Sequence, residues 1–188
     1  MNTSEPSDPH DTTTGASVDL PDGRLRYLPS LLFVGALTVG LIVAAFVGSA
    51  EPTAELGATA PPFTVDLLDG GSFDLETHLR EDGRPVVLNL WGSWCPPCRS
   101  EVPEISAFAA MNEDVYVIGV TIRDPVENTR LFVSEVEPSY DIGIGNEAFL
   151  ARYPSFGLPN TFVIDSNGKV TQYLAGMVTA KSLGQFIP

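Results

Sequence analysis

The chain has 188 residues, room for one ordinary domain with extensions but not for two large ones. Lys and Arg total 10 against 24 Asp and Glu, a net charge of −14, which argues against nucleic-acid binding and against a polybasic membrane-surface role. Two cysteines are too few for a disulfide-rich scaffold.

Residues 1–22 are rich in Ser, Thr, Asp and Pro. Such a stretch buries too little apolar surface to offset its ordering entropy, so 1–29 reads as a disordered tail. A mean hydropathy of +0.12 is high for so acidic a chain, which requires the apolar residues to be concentrated. In 31–50 only Thr38 and Ser49 are polar and nothing is charged. At about 1.5 Å per residue that run reaches about 30 Å, the thickness of a bilayer core. We therefore expect 30–50 to be one transmembrane signal-anchor helix. Arg24 and Arg26 precede it, and Glu51 and Glu55 follow it. The positive-inside rule then keeps 1–29 cytoplasmic and places the rest outside the cell membrane. Gly48-Ser49-Ala50 would also suit a signal-peptide cleavage site, but the run exceeds the usual signal core.

Residues 51–60 read as a linker, and 61–188 as one domain. Within it, 63–67 reads as a strand, Asp69-Gly70-Gly71-Ser72 as a turn and 72–74 as a short partner strand. Residues 75–81 suit a short helix. Residues 86–91 form an apolar run broken only by Asn89, as in a strand covered on both faces. A helix is expected over 97–110, with Pro103 inside it as a kink. Residues 115–121 form a second buried strand. Asp124-Pro125 reads as a cap and first-turn pair opening a helix to 137. Residues 146–153 suit a short helix, 161–165 and 169–175 a hairpin, and 179–186 a last short helix. The order predicts a mixed α/β fold, with the two buried strands parallel.

Both cysteines fall in Trp94-Cys95-Pro96-Pro97-Cys98, between the first buried strand and its helix. At a helix N-terminus Cys95 would be favoured as a thiolate. Cys98, one turn on, could close a disulfide or resolve a mixed one. Metal binding is not expected, since only His10 and His78 could join the cysteines as zinc ligands of the Cys/His type. Covalent haem needs His after the second Cys, where Arg99 stands. A purely structural disulfide across so short a loop would add little stability.

The stretch 87–103, Val-Leu-Asn-Leu-Trp-Gly-Ser-Trp-Cys-Pro-Pro-Cys-Arg-Ser-Glu-Val-Pro, resembles the thioredoxin-like fold, and more closely its TlpA/ResA/DsbE branch of membrane-anchored thiol–disulfide oxidoreductases. Ala60-Pro61-Pro62-Phe63, Val117-Ile118-Gly119-Val120 and Phe156-Gly157-Leu158-Pro159-Asn160-Thr161-Phe162 extend the resemblance. It implies a central mixed sheet flanked by helices, with an extra N-terminal hairpin. It also implies Cys95 as nucleophile, Cys98 as resolving thiol and Pro159 as a cis-proline facing them. Glu101 matches an acid this branch keeps near the site; a solvent-facing helical Glu is the other reading. Trp94, Pro96, Pro97 and Leu158 are the expected substrate contacts. Asn89 stands where classical thioredoxins carry a buried Asp, and Asn160 replaces the Thr common after the proline.

The resemblance implies a protein-disulfide oxidoreductase that needs no cofactor beyond its Cys95–Cys98 pair. Its expected substrates are protein thiols and disulfides, among them apocytochrome c in cytochrome c maturation. Its expected electron source is a membrane donor of the CcdA/DsbD kind. Two alternatives stay open in the sequence, and a third is disfavoured. A disulfide-forming oxidase would use the same residues. A redox-sensing binding module would use the pair only as a switch. A peroxidase of related type would need Thr three residues before the cysteine, where Gly92 stands.

Overall fold

Strand β1 (Thr64–Leu67) buries Val65 while Thr64 and Asp66 face solvent, the alternation of a half-covered strand. The computed structural model describes residues 52–187. The tail 1–29 and the apolar run 30–50 lie outside the described residues. Among those described, no helix is long and apolar enough to cross a membrane.

β2 (Ser72–Asp74) pairs antiparallel with β1. Asp74 then caps α1 (Leu75–Glu81), accepting from the Thr77 N–H at 2.8 Å and from Thr64 Oγ1 at 2.6 Å. β3 (Val86–Trp91) is buried along its whole length, as its unbroken apolar run predicts. It leads into α2 (Pro96–Met111), then β4 (Tyr116–Thr121) and α3 (Val126–Val136). β5 (Asp141–Ile144), α4 (Glu147–Arg152), β6 (Asn160–Ile164), β7 (Val170–Ala175) and α5 (Ala180–Leu183) complete the chain.

The strands form one seven-stranded mixed sheet in the order β2-β1-β5-β4-β3-β6-β7. β3 and β4 are parallel, as expected of a strand–helix–strand unit, and β6 and β7 form the expected antiparallel hairpin. Alternation along β3 supplies both faces of the sheet. Val86, Leu88 and Leu90 join a core with Phe63, Phe149 and Tyr153. Val87 and Trp91 join a second core with Cys98, Val102, Ile105 and Phe108 of α2. Ile105 is fully buried, and truncating such a side chain to Ala costs about 2–5 kcal/mol.

Three local readings change. β5 was not foreseen; it pairs parallel with β4 and antiparallel with β1, joining the N-terminal hairpin to the sheet. Asp124 does not cap α3: the N-cap is Pro125, with no side-chain cap bond, because the Asp124 carboxylate is used elsewhere. The stretch read as a linker is stitched to the domain from Ala54 onward. Ala54 N donates to Arg152 O, Gly57 N to Val170 O, Val170 N to Ala58 O and Ala60 N to Gly168 O.

Candidate active site

The buried strand β3 ends at Trp91, and the chain turns through Gly92-Ser93-Trp94 into α2. A Cβ on Gly92 would lie 2.7 Å from Trp94 Nε1, so a larger residue there would have to displace the Trp94 ring. Cys95 is the N-cap of α2, with extended backbone, and its Sγ accepts from the Cys98 N–H at 3.3 Å. Pro96 and Pro97 fill the first turn, where an N–H would lack a helical partner anyway. The helix starts at Pro96, one residue earlier than expected. It runs on through Pro103, which lies on its exposed side.

Cys95 and Cys98 are joined in a disulfide. Cys95 keeps 4% exposure and Cys98 none, so the first cysteine is the reachable one. The 16-residue helix α2 directs its positive end at Cys95, which stabilises a thiolate there.

A clamp fixes this turn. Ser93 donates to the Asp124 carboxylate through its N–H at 2.6 Å and its hydroxyl at 2.9 Å. Trp94 Nε1 donates to Ile122 O at 3.3 Å. Between these two anchors Arg123 takes φ +48°, a left-handed conformation that side-chain-bearing residues seldom adopt. Sequence reasoning missed the clamp, because Asp-Pro is equally a helix-start signal.

Glu101 is fully buried, which removes its reading as a surface charge. Its Oε1 accepts from Asn89 Nδ2 at 2.7 Å and its Oε2 from the Val178 N–H at 2.8 Å. Asn89 Nδ2 also donates to Thr161 Oγ1 at 3.1 Å. Burial pushes the Glu101 pKa up to about 7, against the two hydrogen bonds that favour the anion. The Tyr140 phenol is likewise pushed up, mainly by burial and further by the Glu101 charge. Glu101 thus shares the inner face of α2 with Cys98, Val102, Ile105 and Phe108.

The loop before β6 completes the site. The Leu158–Pro159 peptide is cis, and Pro159 is buried. Asn160 pairs with Leu90, so Pro159 sits at the end of the sheet from which the cysteine turn leaves. Asn160 ties the loop down. Its Nδ2 donates to Ser155 Oγ at 2.6 Å and to Gly157 O, and its Oδ1 accepts from Tyr173 OH at 2.9 Å. Trp94 and Leu158 line one cleft, which brings the residues preceding Cys95 and Pro159 together. Pro96 and Pro97 are exposed beside them.

A disulfide capping a helix, one sulfur reachable and the other buried on the helix face that also carries a buried carboxyl, on a strand–helix–strand unit of a mixed sheet: this defines a thiol–disulfide oxidoreductase with a thioredoxin-like fold. The AhpC/TSA family model matches residues 56–173, and the chain belongs to that family. Thiol-disulfide oxidoreductase ResA of Geobacillus thermodenitrificans is 30% identical over 166 residues, covering 87% of this chain and 92% of that protein. Thiol:disulfide interchange protein DsbE of Yersinia pestis is 26% identical over 174 residues, covering 81% and 84%. A solved structure of a secreted Mycobacterium tuberculosis disulfide oxidoreductase homologous to E. coli DsbE matches with TM-score 0.58 at 27% identity, covering 65% of this chain and 92% of that one. The chain is a protein-disulfide oxidoreductase of the ResA/DsbE type, and its redox group is its own disulfide.

Proposed function

We propose that this oxidoreductase is held at the cell membrane with its domain outside the cytoplasm, and that it reduces disulfides of exported proteins. Cys95 is the nucleophile in this reading. Its thiolate attacks a substrate disulfide, forming a mixed disulfide and releasing one substrate thiol. Cys98 then attacks Cys95 Sγ, closing the internal disulfide and releasing the second thiol. Two electrons and two protons pass to the substrate. A membrane donor of the CcdA/DsbD kind returns them, and the haem-binding cysteine pair of apocytochrome c is the proposed substrate. Trp94, Pro96, Pro97 and the Leu158 backbone form the proposed contact surface, with Pro159 against the sulfurs.

One observation carries the direction: the buried Glu101 carboxyl one helical turn past Cys98. As an anion it raises the pKa of a neighbouring thiol and disfavours the thiolate. Strong oxidants of this fold owe their potential to a stabilised reduced form, so a carboxylate here makes the pair more reducing. The helix N-terminus at Cys95 acts in the opposite sense and supports the second reading, a disulfide-forming oxidase.

Equilibration with dithiol buffers separates the two. The proposal expects a potential nearer the approximately −270 mV of thioredoxin than the approximately −120 mV of DsbA. A value near the latter makes the protein an oxidase. A reporter fused after Pro188 tests the location, which rests on the uncharged run 31–50 and the arginines before it. Activity of a cytoplasm-only reporter overturns it.

A further inference from the structure

We propose that the cleft beside the redox disulfide is a side-chain subsite of the substrate polypeptide, taking a large apolar residue together with a carboxylate close to the substrate cysteine. This rests on the reductant reading above and names what that reductant selects.

The cleft holds about 400 Å³ and is walled by Trp94, Ile122, Leu150, Phe156 and Leu158, with Arg123 among them. It is continuous with the place where chemistry must occur. Trp94 precedes the reachable sulfur and Leu158 precedes Pro159, so a chain whose disulfide meets Cys95 passes its neighbouring residues over this surface. Scattered exposed apolar residues need no explanation. Here two aromatics stand exposed on one cleft, Trp94 at 57% and Phe156 fully. The Trp94 ring is tied by its bond to Ile122 O, and Asn160 ties the backbone on either side of Phe156 through Ser155 and Gly157. A wall already held in place binds at lower entropic cost than a mobile one.

Arg123 supplies the polar half. Among the described residues it makes no hydrogen bond or ion pair, unlike Arg80, Arg84 and Arg99. The bonds of Ser93 to Asp124 and of Trp94 to Ile122 hold its backbone left-handed, a strained state that persists where neighbours over-determine it. In a chain of net charge −14, an uncommitted cation in an apolar cleft is where an acidic side chain gains most.

The test uses the reduced full-length chain and small cyclic peptide disulfides, with Leu or Ala beside one cysteine and Glu or Lys one residue further. In each reaction the peptide S–S bond breaks and the Cys95–Cys98 bond forms, two electrons and two protons passing to the peptide. The reading is the ratio of second-order rates between peptides. Leu over Ala should give about a tenfold preference. Glu over Lys should give about threefold, the scale of an exposed ion pair. Phe156→Ala should reduce the first ratio. Arg123→Asn should abolish the second and Arg123→Asp should reverse it; Asn and Asp both tolerate the left-handed backbone. A wild type that oxidises with all four peptides at equal rate overturns the subsite and leaves the reductant reading standing. A wild type that reduces none of them, nor a simple disulfide, overturns both.

Discussion

The side-chain amide of Asn89 donates to Glu101 across 2.7 Å, joining the central strand to the helix that carries both cysteines. Glu101 reaches a pKa of about 7 in the fold because burial disfavours its charge. The folded protein therefore keeps a proton that an unfolded chain has lost between about pH 4.5 and 7. The resulting stabilisation is full below that window and is lost as pH rises through it. Denaturant unfolding at about pH 5 and pH 8 should show this group's contribution falling by on the order of 2–3 kcal/mol. Glu101→Gln should flatten that dependence. The new amide can be accommodated because Asn89 Oδ1 has no partner among the described residues. An unchanged pH dependence in the variant would show that the carboxyl titrates normally.

The same residue should set the pH profile of exchange. With Glu101 able to accept the Cys98 proton, the resolving step should accelerate as pH passes about 7. Stopped-flow rates for Glu101→Gln should lack that inflection. Two superimposable profiles would remove Glu101 from proton transfer.

The unequal exposure of the two cysteines makes their variants behave differently. Cys98→Ser should accumulate mixed disulfides with a protein substrate, since attack survives and resolution fails. Cys95→Ser should capture nothing and lose insulin reduction. Non-reducing gels read both, and the opposite pattern would reverse the assigned roles.

Asp124 holds the cysteine turn through two bonds from Ser93. Asp124→Ala should lower unfolding stability by about 1–3 kcal/mol, the range for bonds to a charged acceptor. The Asp124→Asn variant, which can still accept from one donor, should recover part of it. No loss in either would mean the clamp is replaced by water.

Gly145 N donates to Thr121 O at 3.0 Å, and a Cβ at Gly145 would lie 2.3 Å from that same oxygen. Backbone cannot step aside as a flexible side chain can. Gly145→Ala should destabilise by about 1–3 kcal/mol or more, read as a lower Tm. A variant as stable as the wild type would show that the chain just past β5 gives way from Thr121 at no cost.

The central unit was legible because its signals are local: β3 is an uninterrupted apolar run, and Cys-Pro-Pro-Cys sits between it and a helix. β5 was not, because Asp141-Ile142-Gly143-Ile144 is four residues long and mixes an acid and a glycine into the strand. Its strand state comes from pairing on both sides, which no local propensity encodes. The burial of Glu101 had a signal that went unused. Residues 98, 101, 105 and 108 lie at helical spacing, so Glu101 falls in an apolar stripe, and Asn89 is the one amide in a buried strand positioned to meet it. Asp124 was misread for a different reason: its partner Ser93 is 31 residues away.

The segment 57–60, bonded along the start of β7, also decides where this protein can be cut. The sheet ends in two edge strands, β2 and β7. β2 is three residues long and offers little to a stray strand. At β7, the bonds of Gly57 and Ala58 to Val170 occupy main-chain groups that would otherwise face outward. A fragment beginning at residue 61 would keep the whole redox turn yet bare the start of that edge, lengthening the template open to intermolecular pairing. Its concentration-dependent precipitation, against the clear solution of a fragment beginning at residue 52, would show that this short N-terminal stretch acts as the domain's guard against aggregation.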